Sequence, residues 1–354
     1  MKKKIGIVYS SFNNYDLLEN EVLKRVDFEN YPVINIDDYS SKKKFIYGKN
    51  FCNKNKIYFK KNTKKGLQYA VNEGIDFLYK KHDCEWIFCL QQDIYPIDKY
   101  FFSKFEKTIK TLKNKSIGAI GFNVISDDGI YMNKNVVNKY KNGKKPKGWL
   151  GIFTLSSANQ KFFQIKAKDK LRYIYYKIFN NQKNKKKLKD LFLSSRNFCE
   201  YSTLNFKEVS KLYNGLSAID LPMWGGIAIN VKLWRKYIKP RKGYIFHLWF
   251  PDIAFQFLKN NIWLATHTNF YLLNKQKIKE KYGYIWSSAH AGREESNKQV
   301  EKYGNHLNTF KSYWGFDYED TIAKKKYIIQ KYQGTLIEKF IKHDYRKGPM
   351  KKFK

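Results

Sequence analysis

The chain has 354 residues, enough for one large α/β domain or two domains with a sizeable core. Aromatic residues make up 18% of it, which excludes a disordered chain in spite of 28% charged residues. The formal net charge is +38, but only seven of the 69 basic residues are arginine. Arginine is the better fork for base edges and phosphates, so nucleic acid is the least favoured partner. AT-rich coding bias and an anionic membrane surface are the stronger explanations of the lysines.

In chain order, Lys4–Phe12 reads as a strand ending in a polar loop. Asn14–Val26 follows with helical spacing of Leu17, Leu18, Val22 and Val26. Tyr31–Ser41 is a second strand, ending in two carboxylates and hydroxyls, and Ile57–Asn62 a third. Lys64–His82 is a strong amphipathic helix, with Leu67, Ala70, Val71, Ile75 and Leu78 on one side. Glu85–Leu90 is a fourth strand, Lys99–Asn114 a helix and Ile117–Ile125 a further strand.

Strands alternating with helices predict an α/β fold with a mostly parallel, doubly wound central sheet flanked by helices. Ligands of such sheets sit at the carboxyl ends of strands. Three polar loops are expected there: Ser10–Asn14, Asp37–Ser41 and Gln91–Asp93.

The rhythm breaks between Ser126 and Gly215. There a lysine-rich stretch puts Leu171, Ile174, Tyr175, Ile178 and Phe179 on one stripe. That stripe suits either the core or an anionic membrane. Order returns at Leu216–Tyr237, with a Gly-Gly turn, a strand and a helix, and again at Phe246–His267, a loop and an amphipathic helix. Basic helices are expected from Asp317. The division is therefore 1–125, a helical insert at 126–215, a second half at 216–316 and a basic extension at 317–354.

Cys52, Cys84, Cys89 and Cys199 include no Cys-x-x-Cys pair and read as reduced thiols of a cytosolic protein. The apolar run after the first lysines is too short for a signal peptide, and no run approaches a membrane span. A cytoplasmic protein, soluble or peripheral on a membrane, is expected.

Three fragments together resemble the nucleotide-sugar half of GT-A fold glycosyltransferases of the family-2 type. Asp37-Asp38-Tyr39-Ser40 fits that family's Asp-x-x-Ser after the second strand. Gly66, Ala70, Asn72, Gly74 and Ile75 fit its next helix, and Gln91-Gln92-Asp93 with Pro96 fits its acidic loop. The resemblance covers residues 4–125 well and 216–265 loosely.

It implies an inverting transfer from a nucleotide sugar, with a UDP-sugar favoured, to a glycan or lipid-linked acceptor. Mn2+ or Mg2+ is the implied cofactor, with Asp93 as its ligand. Gln91 stands where the family usually has a second acid or Asn. Asp37 is implied as the acceptor of a base or ribose hydrogen bond, with Asp38 and Ser40 as lesser candidates. Ser10, Lys65, Gly66 and Gln92 complete the donor side. Plain turns at strand ends explain the same loops without a ligand.

For the general base, Asp252 is the first choice and Asp220 the reserve. Aligned otherwise, Asp252 is the pattern's second acid and Phe250 takes the base position. A helix N-cap also explains Asp252. Asp252→Asn is then expected to keep donor binding and lose transfer. Trp224, Gly225 and Gly226 read as an acceptor loop or as a buried Trp beside a tight turn. His290 is the candidate late metal ligand, with His247, His267 and His306 as rivals. A non-catalytic basic protein on a worn transferase fold is the alternative function.

Overall fold

The structure is a computed structural model. It describes residues 5–23, 30–92, 94–96, 98, 100–112, 115–126, 175, 178–179, 216–218, 226–244, 248–274, 277–280, 283–286, 306–316, 324–343 and 350–353. Its first half contains β1 (Ile5–Ser11), β2 (Val33–Asp37), α1 (Lys42–Lys54), β3 (Tyr58–Lys61), α2 (Leu67–His82), β4 (Trp86–Gln91), β5 (Ile94–Pro96), α3 (Phe101–Thr111) and β6 (Ile117–Ser126). The second half contains β7 (Leu216–Ala218), β8 (Gly226–Asn230), α4 (Val231–Tyr237), α5 (Trp249–Lys259), β9 (Trp263–Asn274), β10 (Lys277–Glu280), β11 (Gly283–Trp286), α6 (His306–Trp314), α7 (Lys325–Lys331), α8 (Leu336–Lys342) and β12 (Lys352–Phe353).

Ten strands form one mixed sheet in the order β12-β7-β9-β6-β8-β4-β1-β2-β3, with β5 paired to β9. The α/β reading holds. β4, β1, β2 and β3 run parallel, as expected. β8 runs antiparallel between β4 and β6, and so joins the two halves of the chain in one sheet.

The central strands are continuous apolar runs because helices cover both faces. Ile5, Ile7, Val8 and Tyr9 of β1 and Ile87, Phe88 and Leu90 of β4 are buried. A ring cluster of Phe88, Phe101, Phe105, Phe122 and Phe270 fills one side, with Phe88 and Phe105 centroids 4.8 Å apart. α2 packs against β1 and β2 with its predicted apolar stripe buried. Gly74 lies where α2 meets β1, and a Cβ there would stand 2.5 Å from Val8 Cγ1. Asn72 accepts from the Trp234 indole N–H at 2.9 Å. Both motif residues thus hold the helix to its neighbours.

Local departures have physical causes. The helix expected over Asn14–Val26 is a single α-turn, Tyr15–Leu17, continued as a π-turn, Leu18–Leu23. Tyr15 is buried there with its hydroxyl on the Asp37 carboxylate. The basic extension is helical at α7 and α8, and it ends in β12 beside β7. α8 packs against α5. In the expected insert, Tyr175 and Phe179 form one helical turn, with Tyr175, Ile178 and Phe179 exposed. Cys52, Cys84 and Cys89 are buried thiols, and Cys199 lies outside the described residues. Among the described residues no helix is long and apolar enough to cross a membrane.

Candidate functional site

The three polar loops named from sequence converge at the carboxyl ends of β1, β2 and β4, and the loop after β3 joins them. Parallel strands make this convergence unavoidable, because all four ends point the same way. Ser10 lies opposite Gln91, and Ser11 opposite Asp37, in the parallel register.

Asp38 is the carboxylate at the mouth. Its Oδ1 accepts from the Gly66 N–H at 3.0 Å and from Asn62 Nδ2 at 2.8 Å. Its Oδ2 takes no hydrogen bond from the described residues. Burial pushes its carboxyl up, against the pull of the Gly66 N–H, Asn62 and the Lys65 ammonium. Asn62 is itself buried, and its Oδ1 has no partner. A buried acceptor without a donor is costly unless a ligand or water supplies one. Lys65 stands over the Phe12 ring at 5.7 Å, on the same side.

Gly66 has φ 129° and ψ 142°, a conformation essentially reserved for glycine. Its N–H meets Asp38, and its carbonyl accepts from Asn62, Tyr69 and Ala70. The glycine therefore turns the β3–α2 loop into α2 while aiming its N–H into the site. Tyr39 also has positive φ, 67°, uncommon for a bulky side chain. Its hydroxyl donates to the Thr63 carbonyl and ties the second loop to the third.

Asp37 departs from the expected role. It is fully buried, and it accepts from the Tyr15 hydroxyl at 2.6 Å and the Ser40 N–H at 3.1 Å. Its carboxylate holds the β1 and β2 loops together and does not face the mouth. The adjacent Asp38 uses only Oδ1 in hydrogen bonds to the described residues. Ser40 supports this frame, accepting from the Asn13 N–H at 2.9 Å.

The Gln-Gln-Asp triplet divides its work. Gln92 is buried and clamps Phe12 from both sides: it accepts from the Phe12 N–H at 3.2 Å and donates to its carbonyl at 3.4 Å. Gln91 is half-buried, and its Nε2 has no partner. Asp93 lies outside the described residues. Replacing Gln92 by Ala strips the Phe12 N–H of its partner, while the Phe12 carbonyl keeps the Asn14 N–H at 2.8 Å. We expect a loss of about 1–3 kcal/mol in urea unfolding, with faster hydrogen exchange at the Phe12 amide.

Asp252 is the second correction. It is fully buried at the start of α5. It accepts from Arg241 Nη1 at 2.9 Å, Trp314 Nε1 at 2.8 Å, Gln256 Nε2 at 2.8 Å and Gln68 Nε2 at 3.0 Å, with the Tyr244 hydroxyl at 3.4 Å. Burial pushes this carboxyl up, while Arg241 and the amide and indole donors pull it down. A general base needs a free lone pair open to the acceptor hydroxyl. This one has neither, so Asp252 is a structural hub. Nor is it an N-cap, since it sits inside the first turn, after the capping Leu248. Phe250, at the alternative base position, is also fully buried.

Gly226 is likewise not an acceptor contact. It opens β8 opposite Leu90, and a Cβ there would collide with Leu272 Cδ1. Asp220, Trp224, Gly225, His247 and His290 lie outside the described residues. His267 is a core residue of β9 packed on Phe270, and burial lowers its pKa to about 4. His306 is also lowered by burial. Among the described residues no group of three His, Cys, Asp or Glu could hold a metal. The described carboxylates at the mouth are engaged as above and do not by themselves make a metal site.

Asn62 and Gln68 were absent from the sequence reading of the site. Only an Asn directly after a strand signalled the first, and nothing local signalled the second.

No protein-family model matches the chain, and no curated protein does. Among solved structures, S. aureus TarS residues 1–349 is similar over 77% of this chain and 61% of its own, at 9% identity and TM-score 0.38. TarS 1–349 in complex with UDP-GlcNAc matches over 78% and 60%, at 10% identity and TM-score 0.40. GalNAc-T7 with UDP, GalNAc and Mn2+ matches over 78% of this chain and 44% of its own, at 11% identity and TM-score 0.45. The chain thus spans about three fifths of the matched TarS chain and under half of GalNAc-T7.

Proposed function

We propose that the chain is a glycosyltransferase that moves a sugar from a nucleotide-diphosphate sugar to a glycan or other hydroxyl acceptor, in surface polysaccharide or glycoconjugate synthesis. The observation that carries this reading is the arrangement at the mouth. Asp38 Oδ2 takes no hydrogen bond from the described residues, Asn62 has an unpartnered Oδ1, and Gly66 has a glycine-only backbone beside Lys65. A carboxylate and an amide oxygen suit the N–H and hydroxyl donors of a base and ribose. Lys65 suits a diphosphate, whose negative charge grows as the sugar leaves.

Asp93 and His290 are the proposed ligands of Mn2+ or Mg2+, which would offset charge on the leaving group. Asp220 replaces Asp252 as the proposed base of an inverting transfer. Trp224 and Gly225 remain the proposed acceptor loop.

The test is thermal shift of the full chain with UDP-, GDP- and dTDP-sugars, with and without Mn2+. At a hundredfold excess over Kd the cognate donor should add about 2.7 kcal/mol of stability. A UDP-sugar is expected to do so, with the Mn2+-dependent part lost in Asp93→Asn. No shift with any donor, in a folded sample, ends the reading.

A peripheral position on the inner face of a membrane is the second element of the proposal. The exposed Tyr175, Ile178 and Phe179 in a lysine-rich segment favour it.

A further inference from the structure

Beside the mouth, α2, the loop after α4 and α6 bring together aromatic and cationic side chains that the donor site does not use. Tyr313 of α6 is 44% exposed, although one side of its ring is covered. Arg241 Cζ lies 4.3 Å from its centroid and 4.8 Å from that of Trp314. Arg241 is fixed in turn by Asp252, and its N–H donates to Gln68 Oε1 at 2.8 Å. The Tyr313 ring is therefore held from behind, and its remaining surface faces solvent.

Tyr69, in the first turn of α2, follows Gln68, whose Oε1 meets the N–H of the Arg241 that stacks on Tyr313. Lys64 Nζ stands 5.5 Å from the Tyr69 centroid, and Lys64 is exposed without a carboxylate partner among the described residues. Lys242 follows Arg241 and is exposed as well. Lys64 is two residues from Gly66, so the patch adjoins the donor mouth.

We propose that Tyr313, Tyr69 and Lys64 form an acceptor platform for an anionic glycan, one carrying carboxylate or phosphate groups. Resting on the glycosyltransferase reading, this names the acceptor class. An aromatic ring fixed before binding offers a flat apolar face to the C–H surface of a sugar at low entropic cost. Unpaired ammonium groups beside it select negative charge and make affinity fall with salt. The net charge of +38 adds long-range attraction of the same sign.

The test is binding of three probes to the full chain at low salt: tetragalacturonate, a glycerol-phosphate tetramer and neutral maltotetraose. At least one anionic probe should bind ten or more times tighter than maltotetraose, and which one it is separates the carboxylate source from the phosphate source. Tyr313→Ala should weaken that binding at least tenfold, and Tyr313→Phe should retain it. Lys64→Gln should reduce its salt dependence. Thermal melting of each variant checks that it is folded. Equal binding of the neutral probe, no binding of any probe, or full affinity in folded Tyr313→Ala overturns the platform. Nucleotide-sugar binding is read separately. Its absence beside intact glycan binding would sink the transferase reading and leave the platform standing.

Discussion

Asp252→Ala is expected to cost about 3–5 kcal/mol in urea unfolding, because it leaves Arg241 without its buried counter-charge. The carboxylate is fully buried, and it also receives the Trp314 indole and the Gln68 and Gln256 amides. These donors come from α2, α5 and α6, so one side chain ties together three helices and the loop that carries Arg241. Asp252→Asn keeps the shape and fails for a different reason. On whichever side its amide NH2 sits, it faces N–H donors that previously met an oxygen. Arg241 is partly exposed, which sets Asp252→Asn toward the lower end of that range. The expectation from sequence was intact donor binding with lost transfer. The structure predicts instead a destabilised protein whose donor binding weakens too, since Gln68 lies two residues after Gly66. A variant within 1 kcal/mol of the parent would return Asp252 to the candidates for the base.

Asp38→Asn carries the second large effect, on binding. The Asn amide oxygen still accepts from Gly66 N–H and Asn62 Nδ2, so stability should change by less than about 1 kcal/mol. What is lost is the charge on the oxygen that takes no hydrogen bond from the described residues. Hydrogen bonds to charged groups contribute about 1.5–3 kcal/mol, so nucleotide affinity should fall roughly 10- to 100-fold. Isothermal titration of the cognate nucleotide into both proteins measures it. Asp37→Asn is the contrast: it weakens the Tyr15 hydroxyl bond at 2.6 Å and should lower stability first. If Asp37→Asn abolishes nucleotide binding in a stable protein while Asp38→Asn does not, the two acids have been assigned the wrong way round.

These two substitutions mark where the sequence was legible. Neighbouring acids at the end of an apolar strand locate a site but do not say which one faces it. The choice is made by Tyr15, 22 residues away in the chain from Asp37, and by Asn62, 24 residues from Asp38. Likewise, "PDIAFQF" (Pro251–Phe257) read locally is a helix start with an available acid. Only the approach of Arg241, Gln68 and Trp314 shows that the acid is enclosed. Gly226 reads locally as part of an acceptor loop or a tight turn, and Leu272 from β9 makes it a close-packed core position.

By itself the sequence determined the α/β architecture, the apolar stripe of α2 and the sheet end where the polar loops gather. It could do so because continuous apolar strands, a 3.6-residue stripe and polar strand ends are local patterns set by burial on one face or two. It missed α1, whose thirteen residues bury only Gly48, Phe51 and Cys52, so lysines mask the periodicity. It also missed β9, whose place in the sheet comes from pairing with β6, about 150 residues earlier. The tertiary structure alone decided which acid keeps an oxygen without a partner among the described residues, which is enclosed, and how Arg241 holds Tyr313. Those outcomes depend on burial and on donors from distant segments, and neither is encoded within a short window of chain.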